Sequence, residues 1–253
     1  MHIKRHALAI AFVFAAAVAP AQASEVYQVS TIASLLAGGY DGTVTVGTLL
    51  RHGNFGLGTF NGVDGEMVVL NGRAYRCSVD AVAHPVRAAM RTPFAVVTDF
   101  HPQSTVAVAP GQSLDRLEAA LDALPMSASR IVAVRIVGRF QTMQVRSEPK
   151  QQPPYRPLVD VIKTQQVVHD LGAVDGTLVG FRFPATASSV NVAGWHFHFI
   201  TADGTRCGHV LGLTTGTGRA AVQEIADLRV RFPAQAPAAS ASADAVRAVE
   251  HPR

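Results

Sequence analysis

Gly194-Trp195-His196-Phe197-His198-Phe199-Ile200, then Asp203-Gly204, then Arg206-Cys207-Gly208-His209, is the stretch that decides how this chain is read. Aromatic and imidazole side chains alternate over 195–199, and successive residues of a strand point to opposite faces. His196 and His198 therefore share one face, and Trp195, Phe197 and Phe199 share the other. The aromatic face is the natural core face, so the histidine face is expected to open toward a cavity or solvent. Asp-Gly between two such runs is a tight-turn signal. Folding the chain back at Asp203-Gly204 opposes Ile200 with Cys207 and His198 with His209, and a longer loop centred there keeps the same pairing. Directly opposed residues of an antiparallel pair have Cβ atoms about 4.5–5.5 Å apart. One hairpin thus gathers three imidazoles.

A lone histidine on such a face is ordinarily a solvated polar residue. A His-x-His pair with a third histidine set opposite by the turn reads as a metal site. Three neutral imidazoles suit Zn²⁺ and leave a fourth position open, as in catalytic rather than structural zinc. Iron, manganese or copper accept the same donors, so the site is better defined than the ion. Cys207 falls on the same face, where packing is its expected role.

Outward from the hairpin the pattern stays strand-rich. Phe55–Phe60, Gly65–Leu70 and Arg73–Val79 are short apolar runs separated by Asn61-Gly62 and Asn71-Gly72, which predicts a β-meander. Phe94–Phe100, Thr105–Val108 and Arg130–Val145 read as further strands, as do Leu158–Asp170, Gly176–Phe183, Val190–Ile200, Arg206–Thr214 and Ala221–Val230. Short helices are expected near Leu36 and over Val46–His52. The clearest spans 113–124, where Ser113 caps an apolar face of Leu114, Leu117, Leu121 and Leu124. The fold class is α+β: strand-dominated mixed and antiparallel sheets in two packed halves with a few short helices. The expected divisions are a signal peptide at 1–23, an N-terminal half at 24–150, a β-rich C-terminal half with the metal hairpin at 151–232, and a linker and tail at 233–253.

Among 253 residues, 48% are hydrophobic and only 16% charged, enough to bury a sizeable core. Lys4 and Arg5 precede an apolar run that Pro20 breaks, and Ala21-Gln22-Ala23 has the small-x-small pattern of a cleavage site. The run is too short to span a membrane; a retained anchor is the alternative. The mature chain is expected to start at Ser24, exported to the periplasm or the exterior and free of the membrane. Losing Lys4 and Arg5 takes the formal charge from +4 to +2, and the remaining cations are scattered, so no nucleic-acid surface is expected. Cys77 and Cys207 are the only cysteines. Export makes a bridge chemically open to them, but buried free thiols are the default for two cysteines of unknown separation.

Several motifs carry a family resemblance. Besides the histidine hairpin and its continuation Gly208-His209-Val210-Leu211, they are Phe55-Gly56-Leu57-Gly58-Thr59-Phe60 running to Asp64-Gly65-Glu66-Met67, Arg146 through Pro149-x-Gln151-x-x-Pro154-Tyr155, and Gly176-Thr177-Leu178-Val179-Gly180-Phe181-Arg182. In this order and spacing the chain resembles the acetolactate decarboxylases over essentially its whole mature length. The resemblance implies conversion of 2-acetolactate to acetoin and CO₂. It implies zinc on His196, His198 and His209, catalytic roles for Glu66, Arg146 and Glu250, pocket positions at Thr59 and Val63, and a homodimer. Val63 stands where Leu is common, and Ser147-Glu148 replaces the usual Thr-Val.

The implied chemistry needs these residue types. Loss of CO₂ leaves an electron pair that the neighbouring ketone must accept as an enediolate, and a Lewis acid chelated by the ketone and hydroxyl oxygens stabilises it. An arginine orients the carboxylate as a charged fork. A desolvated carboxylic acid, Glu66 or Glu250, delivers the proton. Two other readings stay open: a zinc enzyme of this scaffold acting on another 2-hydroxy-3-keto acid, which Val63 keeps alive, and an exported metal-binding module with no use for Glu66 or Arg146.

Overall fold

The structure, a computed structural model, describes residues 24–233. The expected signal at 1–23, nearly all of the tail and Glu250 lie outside the described residues. The elements run β1 (Glu25–Val29), α1 (Ile32–Leu36), β2 (Val44–Thr45), α2 (Val46–Leu49), β3 (Phe55–Thr59), β4 (Glu66–Leu70), β5 (Arg73–Cys77), β6 (Ala83–Pro85), β7 (Arg91–Thr92), β8 (Ala95–Thr98) and β9 (Ser104–Val108), and continue with α3 (Leu114–Asp122), β10 (Ile131–Ser147), α4 (Leu158–Gln165), β11 (Val167–Asp170), β12 (Val174–Phe183), β13 (Gly194–Thr201), β14 (Cys207–Ile225) and β15 (Asp227–Arg231).

Seven strands form a mixed sheet in the order β15-β1-β8-β3-β4-β5-β6, with β1 and β15 parallel and the other pairs antiparallel. The second sheet is antiparallel in the order β11-β10-β12-β13-β14-β9, and β14 also pairs with β10. So β10, β12, β13 and β14 close on themselves. Closure demands close backbone approach where the long strands bend. Gly138 faces Gly218, and a Cβ on Gly138 would lie 2.6 Å from the Gly218 Cα; the register slips immediately after this pair. The stretches 206–214 and 221–230, read from sequence as separate strands, are therefore largely one strand, β14. Its glycines are bends, not stops.

Both sheets are buried on two faces. One face of the closed strands carries Val132, Val134, Phe140, Trp195, Phe197 and Phe199, with Leu114, Leu117 and Leu121 of α3 packed against it. Ser113 caps α3 as expected, accepting from the Arg116 amide. The opposite face, with Ala133, Val179, Phe181 and Ile200, meets Phe55, Leu57, Val68 and Val96 of the first sheet. Burying each large side chain there contributes about 1.5–3 kcal/mol. Met67, Val69, Ala95 and Val97 point the other way, onto Val46 and Leu49 of α2.

Three expectations are corrected. Residues 158–170 do not form a continuous strand: α4 occupies 158–165, because Leu158, Val161 and Ile162 recur at helical spacing and bury against Ile32, Leu35 and Leu36 of α1. The sheets change over between β8 and β9 rather than near residue 150, and β15 returns to the first sheet. The cysteines are not free thiols. Cys77 and Cys207 form a disulfide with Cα atoms 5.2 Å apart, tying β5 of one sheet to β14 of the other.

Candidate metal centre

The hairpin register holds as read: Ile200 opposes Cys207 and His198 opposes His209. The row continues into β10, where Arg146 opposes His209. His198, His209 and Arg146 thus lie side by side across three strands. The aromatic face of β13 is in the core, as expected. The histidine face opens toward a cavity between the sheets: His198 and His209 are buried, His196 is half-buried, and His196 and His209 line the cavity.

His196 Nε2 lies 3.1 Å from both His198 Nε2 and His209 Nδ1. All three donor atoms fall within 4.8 Å of one another. Ligands about 2.0–2.1 Å from a tetrahedral ion sit about 3.4 Å apart, so the cluster needs little adjustment to hold one. His198 Nδ1 donates to the Met67 carbonyl at 2.8 Å, which leaves its Nε2 lone pair facing the other rings. Burial pushes the His198 pKa down to about 3; the Met67 hydrogen bond opposes this and the nearby Arg146 charge adds to it. The ring is neutral at ordinary pH, which is the ligating form. Lone pairs converging in a buried place suit a cation.

Alternation along β4 sends Glu66 and Val68 toward the second sheet. Glu66 Oε2 lies 3.5 Å from His198 Nε2, and its Oε1 lies 3.6 Å from Arg146 Nη1. Arg146 is buried at the end of β10. Thr59, opposite Glu66, donates to the Gly65 carbonyl at 2.7 Å and fixes that turn. Val63 sits in the same turn with φ +46°, a left-handed conformation that a β-branched residue holds only under strain. Thr59, Val63, Glu66, Arg146, His196 and His209 all line one pocket, closed on its apolar side by Ile32, Leu35, Phe94 and Leu158.

The sequence reading missed Glu148. It is 3% exposed, lines the same pocket and pairs with Arg146 through Nη1. The period-two rule applied to Arg146 points to it, one residue past the end of β10. The helical walls from α1 and α4 were also missed, because α4 had been read as strand. Between Arg146 and Glu148, Ser147 donates to the Cys77 carbonyl at 2.8 Å, and Cys77 opposes Glu66 in the first sheet. The disulfide therefore abuts the site.

A largely buried cluster of three histidines that could hold a metal ion, beside an arginine and carboxylates and set between two sheets, suits an enzyme acting on a small molecule. The sequence model of the alpha-acetolactate decarboxylase family matches residues 26–242. An alpha-acetolactate decarboxylase of Methylococcus capsulatus is 44% identical over 223 residues, covering 87% of this chain and 83% of that protein. One of Methanosarcina mazei is 43% identical, covering 82% and 72%. The crystal structure of the Bacillus subtilis strain 168 enzyme superposes with a TM-score of 0.85 at 33% identity, over 90% of this chain and 99% of that one. This chain belongs to the alpha-acetolactate decarboxylase family and is a lyase.

Proposed function

We propose that the protein is a zinc-dependent decarboxylase that converts 2-acetolactate to acetoin and CO₂, with His196, His198 and His209 holding the ion. The convergence of three imidazole nitrogens, one of them fixed by the Met67 carbonyl, carries the reading. When bound, zinc supplies Lewis acidity toward the ketone and hydroxyl oxygens of the substrate. The chain's own residues do the rest. Arg146, buried and charged, orients the carboxylate that leaves. Glu66, within reach of both the arginine and the ligand cluster, is placed to carry a proton to the carbon that CO₂ vacates. Ile32, Leu35, Phe94 and Leu158 keep water from that carbon. Glu250, implied by resemblance as a second carboxylate, lies outside the described residues.

The family's homodimer is carried over as part of this proposal. Export to the periplasm or exterior is supported by the Ala21-Gln22-Ala23 pattern and by the Cys77–Cys207 bridge, since disulfides persist in oxidising compartments. Among the described residues no helix is long and apolar enough to cross a membrane. The test is metal analysis of purified protein together with CO₂ release from racemic acetolactate before and after chelation. One zinc per chain and activity restored by zinc are expected. Turnover indifferent to metal removal refutes the mechanism.

A further inference from the structure

We propose that Glu148 is a positioning residue that pre-pairs the Arg146 guanidinium, lowering affinity for the substrate carboxylate and raising turnover. The inference rests on the decarboxylase reading of the site. Its starting point is a carboxylate the reaction does not obviously need. Glu148 is 3% exposed, where an ionised side chain persists only if paired. Its partner is Arg146 Nη1, the same nitrogen that has Glu66 Oε1 at 3.6 Å. The guanidinium is thus held between two carboxylates before any substrate arrives. Glu148 lines the pocket together with His196 and His209, so its charge acts inside the site.

The electrostatics of decarboxylation give that charge a consequence. The reactant bears a full negative charge on the carboxylate beside Arg146, and that charge leaves the carboxyl group as CO₂ departs neutral. A guanidinium fully available to the carboxylate stabilises the reactant more than the transition state, which strengthens binding without speeding the step. Glu148 offsets part of the arginine's field and repels the carboxylate directly. Both effects fade as the carboxyl group loses its charge. The arginine keeps its geometric grip, because Glu148 fixes the fork from the side while Ser147, bonded to the Cys77 carbonyl, anchors the intervening backbone.

The experiment compares wild type, E148Q and E148D, each purified with its native metal. It reads the steady-state kinetics of CO₂ release and the calorimetric affinities for two ligands: 2-hydroxy-2-methylpropanoate, an anion with the hydroxyl and carboxylate but no ketone, and acetoin, which is neutral. Removing one unit charge several ångström away in a partly screened site is expected to tighten anion binding by about tenfold. E148Q should therefore lower KM and the anion's Kd by about tenfold and lower kcat with them, leave acetoin affinity unchanged, and be rescued by E148D. Equal changes for anion and neutral ligand, a raised KM at constant kcat, or no change at all overturns the proposal. If E148Q does not fold, E148V is measured against the same two ligands. Absence of CO₂ release from wild type counts against the decarboxylase reading, whereas the contrast between the two ligands judges Glu148 separately.

Discussion

Replacing Cys77 and Cys207 together with alanine removes a crosslink between residues 130 apart in the chain, one in each sheet. Opening a loop of that size restores entropy to the unfolded chain worth about 5 kcal/mol in the loop-closure treatment, and measured losses run about 2–5 kcal/mol. Both cysteines are fully buried among Phe55, Val68 and Ile200, so the lost sulfur contacts add to the loss. Guanidinium chloride unfolding followed through the single, buried Trp195 reads the change directly. With a slope of about 4 kcal/mol/M, a loss of about 4 kcal/mol moves the midpoint down by about 1 M. Dithiothreitol on wild type should reproduce the shift. Coincident midpoints with and without reductant, or two titratable thiols in the native protein made in an oxidising compartment, refute the reasoning. Because Cys77 opposes Glu66, the reduced protein should also lose turnover before it unfolds.

Other outcomes follow from the same geometry. His198→Ala removes a proposed ligand and the donor to Met67; bound metal should fall from one per chain to near zero by elemental analysis, with turnover lost alongside it. Glu118 on α3 has its pKa raised to about 7, chiefly by burial and then by the charges of Asp115 and Asp122. Its contribution to stability is complete below the unfolded carboxyl value near 4.5 and is lost as pH rises through about 7, so Glu118→Gln should raise the thermal midpoint at pH 8.5 and leave it unchanged at pH 4. Val63→Leu adds a methylene to the pocket wall, so kcat/KM for the ethyl homologue of acetolactate should drop about tenfold more than for acetolactate itself in a competition assay.

The histidine hairpin was legible because its logic is local: a period of two, a turn signal and symmetric pairing bring His198 opposite His209 with no knowledge of the rest of the chain. The β-meander was legible for the same reason; Asn71 and Gly72 both take positive φ in the turn between β4 and β5. What escaped depends on distant partners. α4 carries Val159, Val161 and Ile162, whose intrinsic preference is weak, and it is helical because α1 offers an apolar face. β14 runs through Gly212, Gly216 and Gly218 because β10 lies close enough to leave no room for a Cβ at Gly216, where the Arg139 carbonyl would be 2.7 Å away. The pairing of β1 with β15 and of Cys77 with Cys207 joins distant stretches of the chain that no local pattern relates. Glu66 and Arg146 were identified by resemblance; the structure adds that they face each other across two sheets, and that Glu148 joins them.

All three imidazoles come from the hairpin of β13 and β14, whereas Thr59 and Glu66 belong to the other sheet and Val63 to the turn that joins their strands. On the proposed function, the ion's ligands and one wall of the substrate cavity are thus encoded on separate pieces of chain. A lineage is free to reshape that cavity through drift in β3, β4 and their turn while the three histidines stay in place. The hairpin itself is a compact cassette that an engineer can move to another antiparallel pair and ask to bind zinc alone.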